Sequence, residues 1–184
     1  MKTNVEMTTD DENGCLKIRK HKVWKFVHNE DFTYTTNLLL NRSCDFIWLS
    51  ISDNGTITVK GSHPDGYGWD GCTPKMNLLH ITWGIFDGKL KQFGEGNYKP
   101  YTYYASMIHD VLYQYKRCVP VTRKEADLIF YTMMKESGFM WAHIYYIFVR
   151  VFGWWFRGWK YKSKKEIELR MKDESSSFIS EVTS

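Results

Sequence analysis

The chain contains no C-x-x-C pair, no Gly-rich phosphate loop, no RNA-stacking box and no zinc-ligand spacing. It therefore lacks the local signatures of nucleotide, RNA and zinc binding. Neither sign of charge dominates. The 25 Lys and Arg against 21 Asp and Glu leave a net charge of +4, too small to argue for a nucleic-acid partner. Internal repeats and coiled-coil heptads are absent, which weighs against a fibrous role. No uninterrupted apolar run approaches the roughly 20 residues of a membrane span. The richest stretch, 139–161, carries His143 and Arg150 and is broken at Gly153. Residues 1–14 are acidic and polar with no apolar core, so they do not read as a signal peptide. Cys15, Cys44, Cys72 and Cys118 are widely spaced; the simplest expectation is four buried free thiols in a reducing cytoplasm.

What is present suits a packed globule: 43% of residues are hydrophobic and 17% aromatic. The length is one domain's worth. The reading is a single domain over 15–161, β-rich over 15–100 and helical over 101–161, between an acidic tail (1–14) and a charged, Ser-rich tail (162–184). Strand formers dominate 16–60, and Asn54-Gly55 between apolar runs predicts a hairpin pairing 45–52 with 56–61. The Gly-dense segment 61–97 reads as long loops interrupted by an apolar piece at 78–86. Isolated His63 and His80 read as structural or exposed. The fold class is α+β: a small N-terminal antiparallel sheet followed by about three helices.

The helical half carries the chemistry. Tyr101, Ala105, Ile108, Leu112 and Tyr115 recur at three- and four-residue spacing, one buried stripe of a helix. His109 and Tyr113 lie four apart at its edge, with Asp110 turned aside. Pro120 disfavours helical geometry in the preceding residue, and Thr122 with Glu125 forms a capping box that opens a second helix ending at Gly138. A connection this short makes the two helices antiparallel neighbours. At about 1.5 Å per residue, His109 lies roughly 10 Å before the turn and Asp127 roughly 7 Å after it, so the two can meet. An Asp that accepts from one imidazole nitrogen leaves the other free to take a proton from water. The same pair also serves as a plain brace inside a helix hairpin.

Two resemblances attach to these residues. The runs HDVLY and TRKEADLIF, the aromatic helix with VRVFG and the upstream WDGCTP resemble a phage and prophage family of unknown function, domain-of-unknown-function family 1353, over most of residues 24 to 155. In that family the upstream box usually reads TDGAS; here Trp69 stands for the Thr and Cys72-Thr73 for the Ala-Ser. His-Asp-x-x-Tyr, with an Asp on the next antiparallel helix, is similar to the catalytic helices of phospholipase A2, including the short-loop version in parvovirus capsid proteins. The resemblance implies His109 as general base, Asp127 and Tyr113 as its orienting partners, and Asp110 as a ligand for Ca²⁺. The Gly66–Gly71 segment, with Asp70 and the carbonyls of Gly68 and Gly71, is the stretch that would complete the calcium loop, since a hard cation takes six to eight oxygens.

The aromatic and cationic run Trp154, Trp155, Arg157, Trp159 and Lys160 has the composition of a surface at a lipid headgroup layer. Covering the sheet is its ordinary alternative role. The expected activity is that of a phage-derived, calcium-dependent lipid ester hydrolase acting at a phospholipid membrane surface. The alternative is a non-catalytic virion or accessory protein that binds other phage structural proteins, with His109 and Asp127 as a brace. Both readings expect synthesis in the host cytoplasm, with virion association to follow.

Overall fold

Strand-forming residues organise the first hundred positions into short antiparallel pairs. In chain order these are β1 (Thr3–Asn4), β2 (Val23–Trp24), β3 (Phe26–His28), β4 (Phe32–Leu40), β5 (Cys44–Asp45), β6 (Leu49–Ile51), β7 (Asn54–Val59), β8 (Tyr67–Trp69), β9 (Met76–Leu78), β10 (Ile81–Trp83), β11 (Leu90–Gln92) and β12 (Tyr98–Pro100). Three helices follow: α1 (Tyr103–Gln114), α2 (Arg123–Glu136) and α3 (Ala142–Phe152). This α+β architecture is seen in a computed structural model that describes residues 3–4, 23–62, 66–72, 76–78, 81–83, 88–152 and 159.

The central sheet has the order β4-β7-β6-β5. Along β4, Thr33, Thr35 and Asn37 are exposed, while the residues between them are partly covered, the period-two pattern of a sheet with one wet face. β6 meets β7 in the register Leu49↔Val59, Ser50↔Thr58 and Ile51↔Ile57, within the expected hairpin. The turn differs in detail. The Ser52 carbonyl accepts from the Gly55 amide at 2.8 Å and the Ser52 amide donates to the Thr56 carbonyl at 2.9 Å, and only Gly55, at φ +81°, is left-handed. This is a three-residue turn closed by a glycine bulge. A side chain at Gly55 would also meet the Thr36 carbonyl oxygen at 2.1 Å.

Two expectations for the sheet half are corrected. The run 45–52 is not one strand. It folds on itself, with the Phe46 amide donating to the Leu49 carbonyl, so that β5 pairs with β6. The segment 61–97 has long loops, as expected, but more than one strand interrupts them among the described residues. β8 pairs with β3 in the register Phe26↔Trp69, Val27↔Gly68 and His28↔Tyr67, and two further hairpins join β9 to β10 and β11 to β12. β8 is buried along its whole length, and a strand that short with both faces covered shows no alternation to read. His63 and His80 lie outside the described residues.

Helix α2 begins and ends where local signals put it, whereas α1 ends at Gln114, short of the segment around Pro120. At α2 the capping box is complete, Thr122 accepting from the Glu125 amide and Glu125 from the Thr122 amide, and Gly138 is left-handed at φ +84°. The Arg42 guanidinium grips the Glu125 carboxylate through two nitrogens, each at 2.8 Å, and also donates to the Pro120 carbonyl at 3.1 Å. The turn after β4 is thereby tied to the start of α2. The core lies between sheet and helices: Leu39, Trp48, Leu49, Ile57 and Val59 pack with Met107, Ile108, Leu112, Ile129 and Met134. Cys44 and Cys72 are free thiols, but Cys118 is disulfide-bonded, which corrects the expectation of four free thiols. Distance along the chain does not limit a disulfide; only the approach of the folded backbone does.

Candidate active site

The α1–α2 hairpin brings a histidine and an aspartate together. Asp127 is on the inner face of α2, with its side chain fully buried. His109 Nε2 lies 3.1 Å from Asp127 Oδ1, and the Tyr113 hydroxyl donates to the same oxygen at 2.6 Å. The four-residue spacing of His109 and Tyr113 puts both groups on one carboxylate oxygen. Their rings also touch, with centroids 4.2 Å apart, and Phe130 closes the other side of the imidazole at 4.7 Å.

The second carboxylate oxygen belongs to cations. Arg150 on α3 donates to Asp127 Oδ2 at 3.0 Å, and Arg123 Nε stands 3.6 Å from it. Arg123 also donates to the Arg150 carbonyl at 2.7 Å, so the two arginines are held together as well as aimed at one group. Burial acts to raise the Asp127 carboxyl, but the donors from His109, Tyr113 and Arg150 outweigh it and hold the pKa below its ordinary value. For His109, burial acts to expel the proton, and the carboxylates of Asp110 and Asp127 outweigh it, so the imidazole pKa is raised above 6.5. Tyr113 is pushed up by burial and by the adjacent Asp127 charge, so its hydroxyl stays a donor.

Because Asp127 can only accept, the hydrogen-bond network assigns the Nε2–H tautomer whenever His109 is neutral. The bare nitrogen is then Nδ1, which lies 4.0 Å from Asp110 Oδ1. A water hydrogen-bonded to both atoms fits that separation. His109 is 12% and Asp110 29% exposed, whereas the Asp127 side chain is fully buried.

The upstream box packs on the same helix. Trp69 Nε1 donates to Ser106 Oγ at 3.1 Å, and Ser106 donates onward to the Tyr103 carbonyl at 3.0 Å. Cys72 lies beside Thr102, Ser106 and Asp110, and its thiol is pushed up to about 12, first by burial. Cys44 is likewise pushed up to about 11, chiefly by burial. Neither free cysteine is a thiolate at neutral pH, which removes both as nucleophiles. Tyr67 is fully buried, and its hydroxyl has no hydrogen-bond partner among the described residues. Burial, then the nearby charge of Asp110, then Tyr115 and then Asp70 raise its pKa far above the ordinary value.

Asp110 and Asp70 are the two carboxylates whose charge is felt at Tyr67, and oxygen donors are what a hard cation such as Ca²⁺ takes. Among the described residues no three His, Cys, Asp or Glu side chains converge on a metal position, so hydroxyl and carbonyl oxygens would have to complete any shell. Gly71 is buried and left-handed at φ +75°. Gly68 is pinned beneath Trp24, whose ring a side chain there would meet at 2.7 Å, so packing alone accounts for this glycine.

Two residues escaped sequence reasoning. Arg123 had a signal, its four-residue spacing from Asp127 on one helix. Arg150 had a weaker one: a cation within an apolar helix needs a buried partner. Of the aromatic and cationic run, Trp154, Trp155, Arg157 and Lys160 lie outside the described residues. Trp159 is half-buried; its indole N–H donates to the Val121 carbonyl and its ring meets Tyr113 at 4.8 Å. It covers the outer side of the Asp127 cluster.

The family described as a protein of unknown function, DUF1353, has a sequence model that matches residues 96–151 of this chain. The match runs from β12 through α3 and takes in His109, Tyr113, Arg123, Asp127 and Arg150. No curated protein and no solved structure matches the chain.

Proposed function

We propose that this chain is a phage-derived hydrolase of phospholipase A2 type, which cleaves a lipid ester with a water activated at His109. The observation that carries the reading is the His109–Asp127–Tyr113 constellation. One imidazole nitrogen is 3.1 Å from a buried carboxylate, and the other lies 4.0 Å from Asp110, whose side chain is partly exposed. Asp127 holds the ring and its tautomer, Tyr113 holds Asp127, and neutral His109 takes a proton from the water that attacks the ester carbonyl. The imidazolium formed is stabilised by Asp127 and returns the proton to the leaving alcohol. Asp110 with Asp70 and the Tyr67 hydroxyl would hold calcium, which when bound polarises the carbonyl and stabilises the oxyanion. In this reading the aromatic and cationic run after α3 supplies affinity for the membrane, apart from Trp159, which packs on Tyr113 and Val121.

The test is fatty-acid release from mixed phospholipid micelles by wild type, His109→Gln and Asp110→Asn, with calorimetric calcium titration alongside. Calcium-dependent release that His109→Gln abolishes, with calcium binding lost in Asp110→Asn, is expected. Absence of release by the wild type over a range of ester substrates sinks the reading.

A second reading is favoured by the two arginines. Asp127 receives donors from all three helices, and His109 keeps its proton above the ordinary range, as a brace requires. In that reading the chain is a non-catalytic virion or accessory protein that meets a protein partner through its aromatic surface.

A further inference from the structure

The inner and outer faces of α3 are both apolar. Ala142 and Tyr145 are buried against the core, and Val149 packs against it. On the other side Ile144 (42%), Ile147 (58%) and Val151 (53%) are exposed. At about 100° per residue these three fall within an arc of roughly 60°. Met140 (87%) and Trp141 (56%) extend the bare surface past the start of the helix. A helix with an apolar strip on its outer side as well as its inner one leaves that strip to be covered, and an apolar patch of this kind marks an interaction surface. No helix among the described residues is long and apolar enough to cross a membrane.

The charge pattern says what covers it. From Gly138 to Lys165 there is no Asp or Glu. The sequence directly after α3 carries Arg157, Lys160, Lys162, Lys164 and Lys165 among tryptophans, a composition that favours an anionic headgroup layer. A second copy of the chain would set two such basic runs against each other. We propose that the outer face of α3, with Met140 and Trp141, seats on an anionic phospholipid bilayer. The proposal rests on the lipid-hydrolase reading and adds to it the surface that delivers the enzyme to its substrate. Arg150 ties this helix to Asp127 at 3.0 Å, so the docking surface and the dyad are joined through one ion pair.

The test is co-sedimentation of the full chain with phosphatidylcholine vesicles and with vesicles of phosphatidylcholine and phosphatidylglycerol in equal parts, at low and high salt. Wild type is expected to bind the anionic vesicles, less so at high salt. The triple variant Ile144→Ser, Ile147→Ser, Val151→Ser is expected to lose more than about tenfold in partitioning while melting at the same temperature. Should that variant unfold, Ile147→Asp alone repeats the test. Equal binding by the variants, no binding by wild type, or self-association that the variants abolish would each overturn the proposal, the last by assigning the face to a second copy. His109→Gln separates the two readings and is expected to bind vesicles as wild type does. Vesicle binding without fatty-acid release keeps the surface and removes the hydrolase. Cleavage of a dispersed short-chain phospholipid without vesicle binding does the reverse.

Discussion

Helix α2 holds two carboxylates two residues apart, and their surroundings differ in one respect. Glu125 is gripped by Arg42, Thr122 and a backbone amide; burial acts to raise its pKa, and these donors outweigh it and keep it low. None of its partners titrates near neutrality, so the arrangement has a single state, that of a tie between sheet and helix. Asp127 is also gripped by arginine, but one oxygen is given to His109 and Tyr113, and the other imidazole nitrogen lies 4.0 Å from the partly exposed Asp110. Arginine and carboxylate alone make a joint. A histidine with one nitrogen on a buried carboxylate and the other near a partly exposed one makes a place where a proton can move.

The sharpest way to break the comparison is to remove each acid. Asp127→Ala leaves Arg123 and Arg150 facing each other with the carboxylate gone, and an unfolding midpoint in denaturant should report a loss of about 3–5 kcal/mol. His109→Gln keeps a polar group at Asp127, so its effect should fall on turnover: a loss of about 10²- to 10⁴-fold in ester hydrolysis, with a stability change of only about 1 kcal/mol in the same denaturant assay. A stability loss as large as that of Asp127→Ala would move His109 into the same class as Arg42. Glu125→Ala, by contrast, should cost about 2 kcal/mol through the cap and the charged hydrogen bonds and leave turnover per folded molecule unchanged. Tyr113→Phe should cost about 1 kcal/mol and lower turnover modestly through a loosened Asp127.

The pH dependence sharpens the same contrast with the smallest effect. His109 has its pKa raised above 6.5 in the fold, so its pairing stabilises fully below 6.5 and is lost as pH rises through the folded value. Asp127 lies below its ordinary 3.8, so its contribution is present above 3.8 and is lost as pH falls through the folded value. The stability difference between wild type and His109→Gln should therefore be largest between about 4 and 6.5 and shrink toward alkaline pH. Turnover should run the other way, rising with pH through a midpoint above 6.5, because only the neutral imidazole accepts a proton.

Much of the site was legible because it is local. His109 and Tyr113 share a face by spacing, Thr122 and Glu125 announce a helix start, and the short link around Pro120 forces Asp127 back toward His109; each follows from geometry within a few residues. The arginine contacts of Asp127 were not legible in the same way. Arg150 arrives from a third helix, and no spacing rule reports which charge an intervening turn will aim where. The strand Tyr67–Trp69 was hidden for a related reason: its three residues are all buried, and a run that short and buried on both faces leaves no alternation to read.

By itself the sequence determined the order of strands before helices, the hairpin at Gly55, the start and end of α2, and a helix link short enough for His109 and Asp127 to meet. Caps, turns and helix periodicity act over one to four residues, so they are written locally. The tertiary structure alone decided that Arg123 and Arg150 converge on one carboxylate and that the Trp69–Cys72 box lies against α1 beside Asp110. It also decided that Cys118 is disulfide-bonded and that the outer face of α3 is bare. Those outcomes depend on which distant surfaces are buried against one another, and burial is a property of the folded chain rather than of any segment of it.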